Sequence, residues 1–170
     1  MNPKLAIAFG KAVIKDSDDI IKNILAILAK NECFGQVASN KAIVSKKQVL
    51  QAVEQTLSAF TNGTNFAKRE EIELLLRLSG RKQLPKALEI LGVKNGRQEV
   101  AVIAIGENAE KAVAEIKEFL KLKEQKLKTD FKELKKAFEI GKKEERLLKN
   151  KEKSFENLVL EKISLIALED

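Results

Sequence analysis

Ser79-Gly80-Arg81-Lys82-Gln83 is the stretch of this 170-residue sequence with the most to offer a ligand. It combines a hydroxyl, two cations and an amide, and Leu84-Pro85 follows at once, opening an apolar-periodic run that closes at Gly92. Proline is tolerated in the first turn of a helix, so Pro85 marks a helix start. Free N–H groups near Leu84 to Ala87, with the positive end of the helix dipole, would then adjoin Arg81, Lys82 and the first-turn Lys86. That arrangement suits a phosphate. Gln83 could add a donor and an acceptor for a base edge. A polar turn between two core helices accounts for the same residues more simply, and the residues alone favour it.

Other chemistry is thinly represented. The chain has no His, Trp or Tyr and a single cysteine, Cys33. Without His there is no Ser-His-Asp or Cys-His arrangement and no His-based zinc site. One cysteine leaves no internal disulfide and no four-thiolate metal site. No carboxylate cluster has the spacing of a dedicated metal site. "AIAFGKAV" and "AIGENAEKA" lack both G-x-G-x-x-G and GK[ST], so neither is a nucleotide loop. Carboxylate-only and lysine chemistry stay open, but the expectation is a protein that is not an enzyme and uses no metal or cofactor. Cys33 reads as a small core hydrophobe.

The elements that must position the loop follow from periodicity. "KLAIAFGKAVI" reads as a buried strand, and Asp16, Ser17 and Asp18 offer N-caps to a helix carrying Ile20, Ile21, Ile24, Leu25 and Leu28. "CFGQVASNKAIV" is strand-like with a break near Ser39. Ser45 caps a helix whose face is Val49, Leu50, Val53, Leu57 and Phe60. Asn62-Gly63 marks a loop favouring positive φ. From about Ala67 to Leu78 the pattern is helical, with Arg69, Glu73 and Arg77 stacked at i, i+4, i+8. Gly80 fits the position just past its end. "EVAVIAIG" is the clearest strand, and "NAEKAVAEIKEFLKL" a helix after it. The order of elements implies an α+β fold: a single domain over 1–170, with a small mixed sheet packed against several helices.

The net charge is +7, which suggests an anionic partner, with nucleic acid foremost. Between Lys121 and Lys153, however, 13 Lys or Arg stand against 7 Asp or Glu, so this one segment holds +6 of the excess. It reads as a solvent-washed helical excursion at about 121–153, partly disordered, more a solvated face than a phosphate-binding track. The closing segment "SFENLVLEKISLIALED" is a long amphipathic helix, its stripe Phe155, Leu158, Val159, Ile163 and Ile166 widened by Leu160 and Leu165. Core packing is the simpler account of that stripe, and partner docking the other. No apolar run approaches the length of a membrane span, and the first apolar stretch is too short for a signal peptide. The expected location is the cytoplasm.

"TNFAKREEIELLLRLSGRKQLPKALEILGV" resembles the central segment of the smallest subunit of the KEOPS complex, the family of the p53-related-kinase-binding protein. Asn65, Glu73, Leu74, Leu75, Ser79, Gly80, Gln83, Leu84, Ala87 and Gly92 take the places of that family's pattern. The resemblance covers residues 34–120 and 154–168 well, the first 33 loosely and 121–153 hardly at all, and it points to an archaeal member. Lys82 stands where the family usually has Arg, so a bidentate contact would become a point-charge contact.

The resemblance implies a non-catalytic subunit. KEOPS makes threonylcarbamoyladenosine at position 37 of tRNA, and this family's subunit binds the kinase-like ATPase subunit and captures the 3′ CCA tail. On that basis Arg81 and Lys82 would meet phosphates of the tail. Gln83 would read a base edge or a 2′-OH, and Ser79 and Gly80 of the same turn would also contact the tRNA. Lys68, Arg69, Arg77 and Lys86 would extend the positive track. Leu160, Leu165 and Ile166 are the candidate surface for the kinase-like partner. The competing expectation is a protein-interaction module that binds and regulates that partner without touching RNA.

Overall fold

The structure, a computed structural model, describes residues 3–148, 151–166 and 168. In chain order its elements are β1 (Lys4–Ile14), α1 (Ser17–Lys30), β2 (Cys33–Ser39), a 3-10 turn (Asn40–Ala42), α2 (Lys46–Asn62), α3 (Glu70–Ser79) and α4 (Leu84–Leu91). These are followed by β3 (Gly96–Gly106), α5 (Ala109–Leu120), β4 (Lys123–Glu124), α6 (Phe131–Ala137), α7 (Lys142–Leu147) and α8 (Lys151–Leu165). Two compact units result. One is drawn from Met1–Asn40 and Gly92–Leu127, the other from Lys41–Leu91 and Lys128–Asp170.

The first unit is a four-stranded sheet in the order β2-β3-β1-β4. β1 and β3 pair over their whole length, from Lys4 opposite Gly106 to Ile14 opposite Gly96. The α+β class expected from the sequence is what the chain adopts, but the sheet is antiparallel throughout and not mixed. The reason lies in strand order. β1 and β2, joined through α1, run the same way, yet β3 lies between them and is antiparallel to both. Alternate residues Ala8, Ala12, Val100, Val102 and Ala104 face a core completed by Ile24 and Leu28 of α1 and Val113 and Ile116 of α5. Ala101, Ile103 and Ile105 are buried as well, so both faces of β3 are covered, as its unbroken apolar run requires. Asp16 caps α1 by accepting from the amides of Asp18 and Asp19, both at 3.1 Å. Cys33 is half-buried and packs against that core. Its thiol donates to the Asn31 carbonyl at 3.3 Å, and burial pushes its pKa up.

The second unit is helical. α2 buries Val49, Ala52, Val53, Thr56 and Ala59 and leaves Leu50 46% exposed, so its inward face is rotated from the expected one toward small residues. Thr56 can be fully buried there because its hydroxyl donates to the Ala52 carbonyl at 2.8 Å. α8 is tied to α2 by the Gln51 amide, which donates to the Leu160 carbonyl at 2.9 Å and the Ser164 hydroxyl at 2.7 Å. The 121–153 excursion is more than a solvated face. Leu134, Phe138 and Ile140 are buried, and the Phe131 ring lies 5.0 Å from that of Phe155. Asp130 caps α6 by accepting from the amides of Lys132 and Glu133; of the buried apolar residues Leu134 lies in the helix, Phe138 at its C-cap and Ile140 just beyond.

Candidate functional site

α3 and α4 form a hairpin around the Gly80–Gln83 turn. Gly80 adopts the left-handed conformation, φ 66°, while its amide donates to the Arg77 carbonyl and the Arg81 amide to the Leu76 carbonyl. This is the glycine-terminated helix end the sequence suggested. Ser79 is fully buried and works within the turn: its hydroxyl donates to the Leu76 carbonyl at 3.0 Å and accepts from the Arg81 amide at 3.2 Å. From α2, buried Gln48 donates to the Leu78 carbonyl at 3.0 Å, tying the end of α3 to the start of α2. α4 begins one residue before Pro85 and carries no acidic residue in its first turn. Its opening amides are therefore not taken by a side-chain carboxylate of that turn.

Beneath the turn is a buried ion pair. Glu73 is 0% exposed, and its Oε1 accepts from Arg77 Nη2 at 2.8 Å and from Arg77 Nε at 2.9 Å. Its Oε2 accepts from the backbone amides of Phe66 and Ala67, each at 2.8 Å. One carboxylate thus clamps the loop before α3 to the helix itself. Removing two charges from water is costly, and a pair so fully hydrogen-bonded offsets that cost where a bare one would not. The Arg77 guanidinium also lies 4.4 Å from the centroid of the Phe66 ring, and Lys82 Nζ lies 5.4 Å from the same centroid. Phe66 remains 41% exposed.

The candidate residues therefore separate. Lys82, half-buried, pairs with no carboxylate among the described residues, and Gln83 and Lys86 are exposed. Lys68 is exposed too, but it and Arg69 precede α3, which starts at Glu70 and not near Ala67. Arg69 stands at the N-cap position without a side-chain cap bond, and its guanidinium pairs with Glu71. Arg77 does not belong to a surface track: it is 3% exposed and committed to Glu73. The helical stacking of Glu73 over Arg77 was legible, but its burial was not. Arg81 is also engaged. Its Nη2 donates to the Ala137 carbonyl at the end of α6 at 2.6 Å and stands 4.0 Å from the Glu139 carboxylate.

On α8, the stripe of Phe155, Val159, Ile163 and Ile166 is buried, so Ile166, 1% exposed, is core and not docking surface. Leu160 is half-buried, and Leu165, at 42% exposure, faces solvent. Phe66 was missed by sequence reasoning. The only signal was an aromatic residue inside the polar turn "TNGTNFAKR". Among the described residues no group of three or more His, Cys, Asp or Glu could hold a metal ion, and no helix is long and apolar enough to cross a membrane.

The sequence pattern of the family described as "Kinase binding protein CGI-121" matches residues 12–167. The "KEOPS complex subunit Cgi121" of Pyrococcus abyssi is 31% identical over 138 residues, covering 77% of this chain and 75% of that protein. The "Regulatory protein Cgi121" of Methanocaldococcus jannaschii is 32% identical over 82 residues, covering 45% of this chain and 54% of that protein.

Proposed function

The chain belongs to the CGI-121 kinase-binding family, and from that premise we propose that it is a non-catalytic KEOPS subunit that captures the 3′ CCA tail of tRNA and binds the complex's kinase-like ATPase. The names of its relatives support a KEOPS-associated regulatory role. The observation that carries the RNA half of the reading is the α3–α4 turn. Buried Glu73, Arg77, Ser79 and Gln48 fix it from below, while among the described residues Lys82 meets no carboxylate, only the Phe66 ring, and the Gln83 side chain has no hydrogen-bond partner. A helix N-terminus, an adjacent ammonium and a free amide suit a phosphate and the base edge or 2′-OH beside it.

Of the two cations first placed on the tail, Lys82 is the one free to make the contact, with Lys86 next to it, while Arg81 supports the turn from the side. Capture of the tail would raise the local concentration of the rest of the tRNA at the catalytic subunit. Since Lys82 acts as a point charge, affinity should fall as salt rises.

The test is binding of the full chain to intact tRNA and to tRNA trimmed of its CCA, at two salt concentrations. Intact tRNA should bind roughly 10- to 100-fold more tightly, the worth of one or two charge-assisted hydrogen bonds. Lys82→Glu should erase that difference. Equal binding of the two RNAs would sink the reading.

The alternative, a module that regulates the kinase-like partner without RNA, gains support from Arg81, whose guanidinium is held by the Ala137 carbonyl and so is not offered to a phosphate. Exposed Leu165 and half-buried Leu160 of α8 are the residues we assign to that partner, without Ile166. Under this alternative Leu165→Asp weakens the complex with the kinase-like subunit while Lys82→Glu changes nothing.

A further inference from the structure

We propose that Phe66 is a stacking platform for an unpaired base of the RNA tail, with Lys82 moving from the ring to that nucleotide's phosphate. This rests on the tail-capture reading above and deepens it.

The ring is unusually well held for an exposed side chain. The amide of Phe66 itself, and that of Ala67, are fixed by the Glu73 carboxylate at 2.8 Å. The Arg77 guanidinium, 3% exposed, lies 4.4 Å from the ring centroid. Because Arg77 is buried, it supports the ring from the protein side. Phe66 itself stays 41% exposed beside the polar turn. Lys82 Nζ, 5.4 Å from the centroid, is close enough for a cation–π contact, but at a partly exposed site such a contact is weak. A phosphate is a better partner for the ammonium, so an arriving nucleotide can take Lys82 and uncover the ring at little cost.

Stacking suits this ring chemically. A phenyl group has no hydrogen-bonding atom, so Phe66 accepts any base by its π-face, while Gln83 supplies the polar contacts that tell bases apart. Phenylalanine here does what the missing Trp and Tyr would do elsewhere. A ring that served only to cover the Glu73–Arg77 pair would be replaceable by any apolar side chain of similar size, and that distinguishes the two roles.

The experiment uses the full chain and two single-stranded RNAs ending in CCA, one normal and one abasic at its last three positions. Wild-type protein should bind the normal RNA roughly 5- to 100-fold more tightly than the abasic one, the range for one stacked base. Phe66→Leu should lose most of that preference while keeping the salt dependence, and Phe66→Tyr should retain it. Lys82→Glu, in contrast, should flatten the salt slope by about 0.7, the loss of one phosphate contact on a single strand. Thermal melting of each variant separates lost binding from lost fold. If Phe66→Leu melts like wild type and keeps the full preference for the normal RNA, stacking is overturned and tail capture stands. If wild-type protein binds neither RNA, tail capture fails and the stacking role with it.

Discussion

Arg77 and Lys82 carry the same charge and stand over the same phenyl ring, yet they belong to different kinds of structure. Arg77 lies in the buried end of α3, where every contact of its guanidinium is to the protein. Lys82 lies in the turn beyond, where its ammonium meets no carboxylate among the described residues. Arg81 is intermediate, half-buried and spent on a backbone carbonyl. Counting cations therefore says little about where an anion will bind. What decides is whether each charge is already satisfied by the fold.

The sharpest way to break this contrast is Arg77→Ala. It strands a buried carboxylate, and the loss should be about 3–5 kcal/mol in a denaturant titration. Lys82→Ala should stay within about 0.5 kcal/mol by the same measurement, as surface changes usually do. If the two substitutions cost the same, the contrast between scaffold and contact is wrong.

A smaller effect tests whether the turn's shape belongs to the site. Gly80→Ala and Gly63→Ala each force a side chain into the left-handed region, at φ 66° and 67°, at a cost of about 1–2 kcal/mol. A Cβ on Gly80 would meet Ile163 Cγ2 at 3.5 Å, an ordinary contact, and one on Gly63 would meet nothing within 4 Å. Stability should fall alike in both, but only Gly80→Ala should weaken binding to the CCA tail.

The smallest effect concerns α7. The Gly141 amide, then Lys162, hold the Glu144 carboxyl below its ordinary value of 4.5. A folded-state value below the unfolded one stabilises the protein above that ordinary value, and the contribution fades as pH falls through the folded one. Glu144→Gln should thus lower the melting temperature slightly at neutral pH, and by less as pH falls below 4.5. Because the group is largely exposed, the shift at neutral pH should be close to the limit of detection.

Much of this architecture could be read from the chain. Alternation and helical spacing placed β1, α1, α2, α5 and the hairpin turn at Gly80, because local chemistry decides each of them. Burial was harder. Glu73 and Arg77 read as a surface pair by spacing, since i, i+4 contact is the same whether or not another element covers it. The excursion read as solvated because Leu134, Phe138 and Ile140 are diluted by lysine, and nothing local announces that Phe155 will stack on Phe131. β4 was invisible: two residues, Lys123 and Glu124, pair with Lys11 and Gly10 of a strand far off in sequence. Phe66 was passed over because an aromatic in a polar turn has no period to flag it.

The central position of β3 has a consequence for synthesis. Neither β1 nor β2 hydrogen-bonds to the other; both pair with β3. Lys4 must wait for Gly106, 102 residues later, and Ile14 for Gly96, 82 residues later. At about 5–20 residues per second, the first strand leaves the ribosome roughly 4–20 s before its partner exists. Once both are made, β1 and β2 share one missing partner, and the arrival of β3 pairs one edge of each, leaving the far edge of β1 to the later β4.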